Sequence, residues 1–308
     1  MRLPIVLGPT AVGKTELSVK VAWELGAEIV SADSRQVYRF MDIGTAKPGR
    51  DELRLVKHHM IDIVDPDEHF GAGQYGTLAG RMVARLADQG VNPIVVGGSG
   101  LYIRALVEGL FPAPAVDESL RREILRQAKE KGAGFLYRRL EEVDPDSALR
   151  IHPNDLQRIS RALEVYEQTG TPISHLQKRG TKTDFEPLYV GLKRDREELF
   201  ERIESRADWM VASGFLVEVQ NLLEKGYSPN SNSFRAVGYR ELADHISGRI
   251  SLYEAVATVK KNTKAFARRQ LTWFGNLDGV KWFDLSSPGE SEVPDRVSSF
   301  LAEHIERE

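Results

Sequence analysis

Residues 3–15 read Leu3-Pro4-Ile5-Val6-Leu7-Gly8-Pro9-Thr10-Ala11-Val12-Gly13-Lys14-Thr15: an apolar run, then a complete G-x-x-x-x-G-K-[ST] octapeptide. Leu17, Val21 and Leu25 follow on one face of a helical repeat. Strand, glycine-rich turn and helix in that order make a phosphate-binding loop. The glycines let backbone N–H groups turn inward toward phosphate oxygens, Lys14 adds a point charge, and the Thr15 hydroxyl can ligate Mg²⁺. The helix starts at the loop, so its positive dipole end faces the same anion. A glycine-rich turn with no ligand is the competing reading. The octapeptide implies a polyphosphate and leaves open which one, and what is done with it.

Outward from this loop the chain alternates strand and helix to about residue 110. Strands are expected at 3–7, 28–31 and 93–96, and helices at 14–25, 74–88 and 101–108. Tyr75, Leu78, Ala79, Met82, Val83 and Leu86 keep a helical period. Such alternation predicts an α/β core of the P-loop NTPase kind, a parallel sheet flanked by helices with its phosphate site at the carboxyl ends of the strands. Phe111-Pro112-Ala113-Pro114 reads as a linker. The stretch from Asp117 to about Thr181 is charged and strand-poor, with helices expected at 119–131, 136–143 and 154–169. A strand at 187–192, helices at 196–212 and 252–274, a strand at 280–285 and a helix at 293–305 complete the pattern. The expected organisation is a core in two parts, 1–115 and 186–308, with a helical insertion domain over 116–185. Ser228-Pro229-Asn230-Ser231-Asn232-Ser233 reads as a mobile loop.

The 308 residues are 41% apolar, enough for a core, and no segment approaches the roughly 18 apolar residues of a membrane span. There is no cysteine, which excludes disulfides and thiolate metal sites. With no signal-peptide layout at the start, a cytoplasmic protein is expected. The net charge of −3 means that any nucleic-acid surface must be a local patch.

Several residues could carry chemistry. Asp33 closes the strand Ile29-Val30-Ser31-Ala32, where a carboxylate beside a phosphate site can take a proton from a nucleophile; alternatively it caps a short helix from Ser34. Gly97-Gly98-Ser99-Gly100 follows another strand, either to approach a ligand closely or to make a tight turn. No acidic residue closes the strand at Ile94-Val95-Val96, which counts against a motor or GTPase. Of His58-His59, one is expected to be buried and hydrogen-bonded and the other at the surface, with no zinc site. Basic residues gather at Arg121 and Arg122, at Gln157-Arg158-Ile159-Ser160-Arg161, and at Lys260, Lys261, Lys264, Arg268 and Arg269. Each cluster alone reads as a solvated helix face; three of them beside a phosphate loop favour a polyanionic partner.

Taken together these segments resemble the bacterial tRNA dimethylallyltransferase (tRNA isopentenyltransferase) family over nearly the whole chain. The marks are the octapeptide, Ser31-Ala32-Asp33-Ser34-Arg35-Gln36-Val37-Tyr38, Met41-Asp42-Ile43-Gly44-Thr45-Ala46-Lys47-Pro48, and His58-His59 through Asp65. They continue with Gly97-Gly98-Ser99-Gly100-Leu101-Tyr102, Gly238-Tyr239-Arg240-Glu241 and Arg268-Arg269-Gln270-Leu271-Thr272-Trp273-Phe274. The resemblance implies transfer of a dimethylallyl group from its diphosphate to N6 of adenosine 37, beside the tRNA anticodon. It implies that Gly8, Pro9, Thr10, Ala11, Val12, Gly13, Lys14 and Thr15 hold the diphosphate and that Thr15 shares Mg²⁺. Asp33 is then the base, and Lys14, Thr15 and Arg206 complete the catalytic set. The implied tRNA contacts are Asp33, Ser34, Arg35, Gln36, Ser99, Arg121, Gln157, Arg158, Ile159, Ser160 and Arg161. The implied partners are a tRNA anticodon stem-loop and dimethylallyl diphosphate, and the protein is expected to be a monomer with no membrane association.

Three other readings use some of the same residues. A nucleotide or small-molecule kinase would keep the loop and Asp33 and move a phosphoryl group from ATP. An AMP-prenylating enzyme would leave the basic insertion without a task. An RNA-binding protein with a relic loop would not need Lys14, Thr15 and Asp33 together.

Overall fold

A computed structural model of the chain describes residues 1–111, 114, 116–178, 183–286 and 290–305. Pro112 and Ala113 of the expected linker, Ala115 at the expected domain boundary and Thr181 near the expected end of the helical stretch lie outside the described residues. The contacts divide the chain into two compact units, Met1–Val107 with Asp184–Glu308, and Glu108–Thr183. The second unit thus starts before the expected residue 116.

The first unit contains β1 (Arg2–Leu7), α1 (Lys14–Glu24), β2 (Glu28–Ala32), α2 (Arg50–Leu55), β3 (His58–His59), α3 (Ala72–Asp88), β4 (Pro93–Gly97) and α4 (Gly100–Val107). The second contains α5 (Glu118–Lys131), α6 (Ala133–Val143), α7 (Pro145–Ala148), α8 (Leu156–Thr169) and α9 (Ile173–Lys178). The first unit resumes with β5 (Glu186–Lys193), α10 (Arg196–Ala212), α11 (Phe215–Glu224), α12 (Tyr239–Ile246), α13 (Leu252–Gly275), β6 (Lys281–Asp284) and α14 (Val293–Ile305). The six strands form one sheet in the order β3-β2-β4-β1-β5-β6, every neighbouring pair parallel. β1 is apolar and buried from Leu3 to Leu7 because both its faces are covered, as expected of a central parallel strand. Leu3, Ile5 and Leu7 join one core cluster and Val6 the other, so successive side chains serve opposite faces of the sheet. The α/β core flanked by helices is therefore as the alternation implied.

Sequence periodicity missed the short elements. β3 has two residues, held by pairing Ile29 with His58 and Val30 with His59. α2 buries none of its side chains, so it leaves no apolar stripe to read. α11 starts after Gly214 in a left-handed conformation (φ 102°) with no side-chain cap. Both His58 and His59 are half-buried and both are hydrogen-bonded, to the Val56 carbonyl and to the Glu28 carboxylate, which corrects the expected division of the pair. The segment from Ser228 to Ser233 is tied down rather than free. Asn232 Nδ2 donates to the Tyr38 hydroxyl at 3.0 Å, and Ser233, fully buried, donates to the Pro66 carbonyl at 2.6 Å.

In the second unit Ile124, Leu136, Leu140, Ile159 and Leu163 form the core. Asp144 is buried and accepts from Ser147 N, Ser147 Oγ and Ser174 N at 3.0, 2.8 and 3.0 Å, joining the starts of α7 and α9. Burial opposes its charge, but the hydrogen bonds from Ser174 and Ser147 outweigh it and hold the carboxyl below its usual range. Asp144→Ala leaves buried donors unmet and is expected to destabilise this unit by about 2–3 kcal/mol. Because the carboxyl is depressed, that contribution is complete above the unfolded-chain value of about 4 and disappears as pH falls through the lower folded value. Hydrogen exchange of the α5–α9 amides at pH 7 in wild type and variant measures it.

Candidate active site

The octapeptide turns between β1 and α1 at the carboxyl end of the sheet. Gly8 cannot carry a side chain: a Cβ there would stand 2.6 Å from the Leu192 carbonyl of β5. Ala11 (φ 63°) and Gly13 (φ 111°) both adopt left-handed backbone, and the alanine does so at a cost of about 1–2 kcal/mol. Thr10, Ala11, Gly13, Lys14 and Thr15 line a cavity of about 880 Å³. Gly8, Pro9 and Val12, expected to touch the diphosphate, stand behind the loop. The Gly8 and Pro9 carbonyls accept the Lys14 ammonium at 3.0 and 2.7 Å, and the Val12 side chain is fully buried. The Thr10 amide is likewise committed, donating to Gln270 Oε1 at 2.8 Å.

Asp33 stands one residue past β2. Its Oδ1 accepts from Arg35 N at 2.8 Å and Gln36 N at 3.4 Å. Residues 34–37 form a turn, not the helix considered from sequence. The two readings of Asp33 are compatible: one oxygen caps the turn, and the other has no hydrogen-bond partner among the described residues. A second cavity, of about 320 Å³, has apolar walls that include Ile203, Met210, Phe215 and Val259. Both cavities share Thr10, Ala11, Asp33, Thr45, Arg206 and Phe266. Asp33 and Arg206 therefore stand where the two meet.

Three cations surround this point. Arg206 on α10 has no hydrogen bond or ion pair among the described residues. Burial pulls its guanidinium below the ordinary value, with the Asp33 carboxylate opposing and Arg202 adding to the drop. Burial likewise lowers Lys14 to about 8, against the pull of Asp33 and with a push from Arg206. Arg202, one turn before Arg206, lines the larger cavity and donates from Nε to the Ala11 carbonyl at 3.1 Å. Its i, i+4 spacing from Arg206 was the available sequence signal.

The segment 42–48 forms the facing wall of the larger cavity. Glu218 accepts from the amides of Asp42, Ile43 and Gly44 at 2.9, 2.7 and 3.2 Å, and from the Tyr239 hydroxyl at 2.6 Å. Lys47 is almost wholly buried against Asp42, Asp62 and the Tyr38 carbonyl. Gln36, expected to contact tRNA, spends its side chain on Ser31 Oγ and the carbonyls of Thr45 and Ala46. Arg35 donates to the Asn232 carbonyl, and Ser99 Oγ accepts from Ser34 N at 2.9 Å. Ser34, Arg35 and Ser99 line the smaller cavity. The glycines of residues 97–100 answer packing, not ligand approach. A Cβ on Gly97, Gly98 or Gly100 would strike the Ala32 carbonyl, Gln270 or Trp273 at 2.1, 2.3 or 2.2 Å.

In the second unit only part of the expected RNA set is at the surface. Gln157 and Arg158 are exposed. Ile159 and Ser160 are buried because α8 turns that face into the core, which removes their side chains from the expected contacts. Arg121 and Arg161 both pair with the buried Glu164, at 3.1 and 3.2 Å. Of the last basic cluster, Lys260 pairs with Asp208 and Lys264 with Glu204, acids supplied by α10 rather than by their own helix. The Thr15 hydroxyl lines the larger cavity with no partner among the described residues, and as a hard oxygen donor it fits Mg²⁺. No three metal-ligating side chains converge among the described residues, so such an ion would draw most ligands from phosphate and water, as Mg²⁺ commonly does.

The family model for IPP transferase matches residues 36–277. The chain belongs to that family. A tRNA dimethylallyltransferase of Thermotoga petrophila is 46% identical over 305 residues, 99% of each chain. Its counterpart in Symbiobacterium thermophilum is 48% identical over 292 residues, 94% of this chain and 91% of the other. Among solved structures, the full-length tRNA isopentenylpyrophosphate transferase of Bacillus halodurans is similar at a TM-score of 0.74 and 37% identity, covering 99% of this chain and 97% of that one. A eukaryotic dimethylallyltransferase described as acting on tRNA gives a TM-score of 0.80 at 27% identity, covering 99% of this chain and 79% of the other.

The lowered Lys14 value has a direct readout. Below about pH 8 the amine is protonated and attracts an anion; above it the charge is lost. Acylation of Lys14, followed by peptide mass spectrometry, is expected to rise with a midpoint near pH 8, well below that of exposed lysines. Added diphosphate should move the midpoint upward.

Proposed function

We propose that this protein is a tRNA dimethylallyltransferase that prenylates N6 of adenosine 37, next to the anticodon, using dimethylallyl diphosphate. The observation that carries the reading is the meeting of the two cavities at Asp33 and Arg206, a carboxylate oxygen and a guanidinium that have no partner among the described residues. In this reading the diphosphate lies on the phosphate loop in the larger cavity and the unstacked adenine reaches N6 to Asp33. Adenine N6 is a weak nucleophile because its lone pair is delocalised into the ring. As the N6–C1 bond forms, the N6 proton passes to the free oxygen of Asp33, and the C1–O bond breaks with its electron pair leaving on the diphosphate. Lys14, Arg206 and the loop amides neutralise the departing charge, and the burial of both side chains strengthens the interaction. Mg²⁺ on Thr15, when bound, would supply further charge neutralisation. The apolar wall of the smaller cavity suits a hydrocarbon group. The protein acts as a cytoplasmic monomer in this reading. Among the described residues no helix is long and apolar enough to cross a membrane.

Incubation with unmodified tRNA, dimethylallyl diphosphate and Mg²⁺ is expected to yield N6-dimethylallyladenosine at position 37, read by nucleoside mass spectrometry. Consumption of ATP in its place would establish the kinase reading. Asp33→Asn keeps an acceptor for the Arg35 amide and removes the basicity. The expected loss is about 10²–10⁴-fold in single-turnover rate, with both substrates still bound. A near-wild-type rate would take Asp33 out of the mechanism.

RNA affinity separates exposed from structural arginines. Gln157→Ala with Arg158→Ala is expected to weaken tRNA binding, and losing the Arg158 charge should reduce its salt dependence by about one unit of slope. Arg161 is unsuitable for this test because its loss also removes one of the two arginines that pair with buried Glu164. An unchanged slope, measured by titration at several salt concentrations, would assign this helix face to solvent alone.

A further inference from the structure

Gln270 lies in the last third of α13 and is 6% exposed, yet both ends of its amide are used at the cavity wall. Its Oε1 accepts from Thr10 N of the phosphate loop at 2.8 Å, and its Nε2 donates to the Gly98 carbonyl at 2.8 Å. We propose that Gln270 is a positioning residue that holds the phosphate loop in register with the Asp33 turn; the proposal rests on the prenyl-transfer reading above.

The sheet explains why such a brace is needed. β4 lies between β1 and β2, and its last paired residue is Gly97, opposite Leu7 on one side and Ala32 on the other. Beyond Gly97 no ladder sets the distance between the loop that holds the leaving group and the turn that holds the base. The next residues take over with side chains. Gln270 ties Thr10 to Gly98, and Ser99 accepts from Ser34 N while donating its own amide to the Ala32 carbonyl at 3.1 Å. A continuous path of hydrogen bonds thus runs from the phosphate loop through Gln270 and residues 98–99 to the residues on either side of Asp33. Gly98 is part of the device, because a Cβ there would stand 2.3 Å from Gln270 Nε2. Trp273, one turn further along α13, seats Gly100 in the same way.

Only a side-chain amide of this length does the work. It must accept at one end and donate at the other. Glutamate would set a second acceptor against the Gly98 carbonyl, and methionine fills the same space with neither function. Substitution by an alkyl transfer needs N6, C1 and the leaving oxygen in line, and a misplacement of about 1 Å can cost about 10²-fold in rate. A water molecule displacing the same leaving oxygen must also approach in line, but it is free to move and does not depend on where the Asp33 turn holds N6.

The test is Gln270→Met and Gln270→Glu, assayed for tRNA prenylation and for hydrolysis of dimethylallyl diphosphate. The expected result is a fall of about 10²-fold in kcat for transfer, with KM for the diphosphate within about threefold and hydrolysis retained, so that the ratio of transfer to hydrolysis collapses. Wild-type kcat in both variants would overturn the proposal. So would loss of transfer and hydrolysis in equal measure, tracking the folded fraction by circular dichroism, which is the signature of a merely structural residue. Wild-type protein that fails to prenylate tRNA defeats the functional reading instead. Amide exchange at Thr10 then decides the brace: faster exchange in Gln270→Met supports it, and unchanged exchange overturns it.

Discussion

β1 is hydrogen-bonded to β4 on one side and β5 on the other, and a strand with two partners has to release its chain at the middle of the sheet. This constraint places the phosphate loop. β2 reaches the same end through β4, so the loop and the Asp33 turn emerge two strand spacings apart, about 10 Å. That gap suits a reaction in which a group passes from a leaving diphosphate on one side to a nucleophile held on the other. The edge strands β3 and β6 extend the sheet away from this point.

The charges nearest the gap are cationic in excess: Lys14 and Arg206 are buried beside Asp33, with Arg202 one turn from Arg206. Burial lowers the proton affinity of Lys14 and Arg206, and only the carboxylate opposes it. Lys14 meets this by turning its ammonium onto the Gly8 and Pro9 carbonyls. An anion that brings several negative oxygens relieves all three cations at once, whereas a neutral ligand would relieve none.

The wall of the larger cavity and the segments that flank it carry backbone strain. Phe40, Ala46, Met60 and Asp62 all have positive φ without being glycine. Such conformations persist only where the surroundings over-determine them. Here Lys47, Gln36 and Glu218 do so from three directions, Glu218 by taking three consecutive segments of backbone amide.

Whatever depends on neighbours along the chain was legible in the sequence. The 3–15 stretch specified strand, loop and helix, and the periodicity of 74–88 specified a long helix, because strand and helical repeat are local properties. The catalytic candidates Lys14, Thr15, Asp33 and Arg206 were likewise readable, the last through family resemblance, and they meet at one place. Tertiary packing decided the rest. Ile159 and Ser160 turned inward because the second unit needed a core, and Arg121 and Arg161 were drawn to Glu164, a partner that no spacing rule connects to Arg121. Gln270 and Glu218 act on backbone groups 260 and 174–176 residues away in the chain, and a hydrogen bond between a side chain and a distant amide leaves no period in the sequence. The residues that could do chemistry could be picked out one by one from the chain; their mutual distances exist only once the sheet has brought its strand ends together.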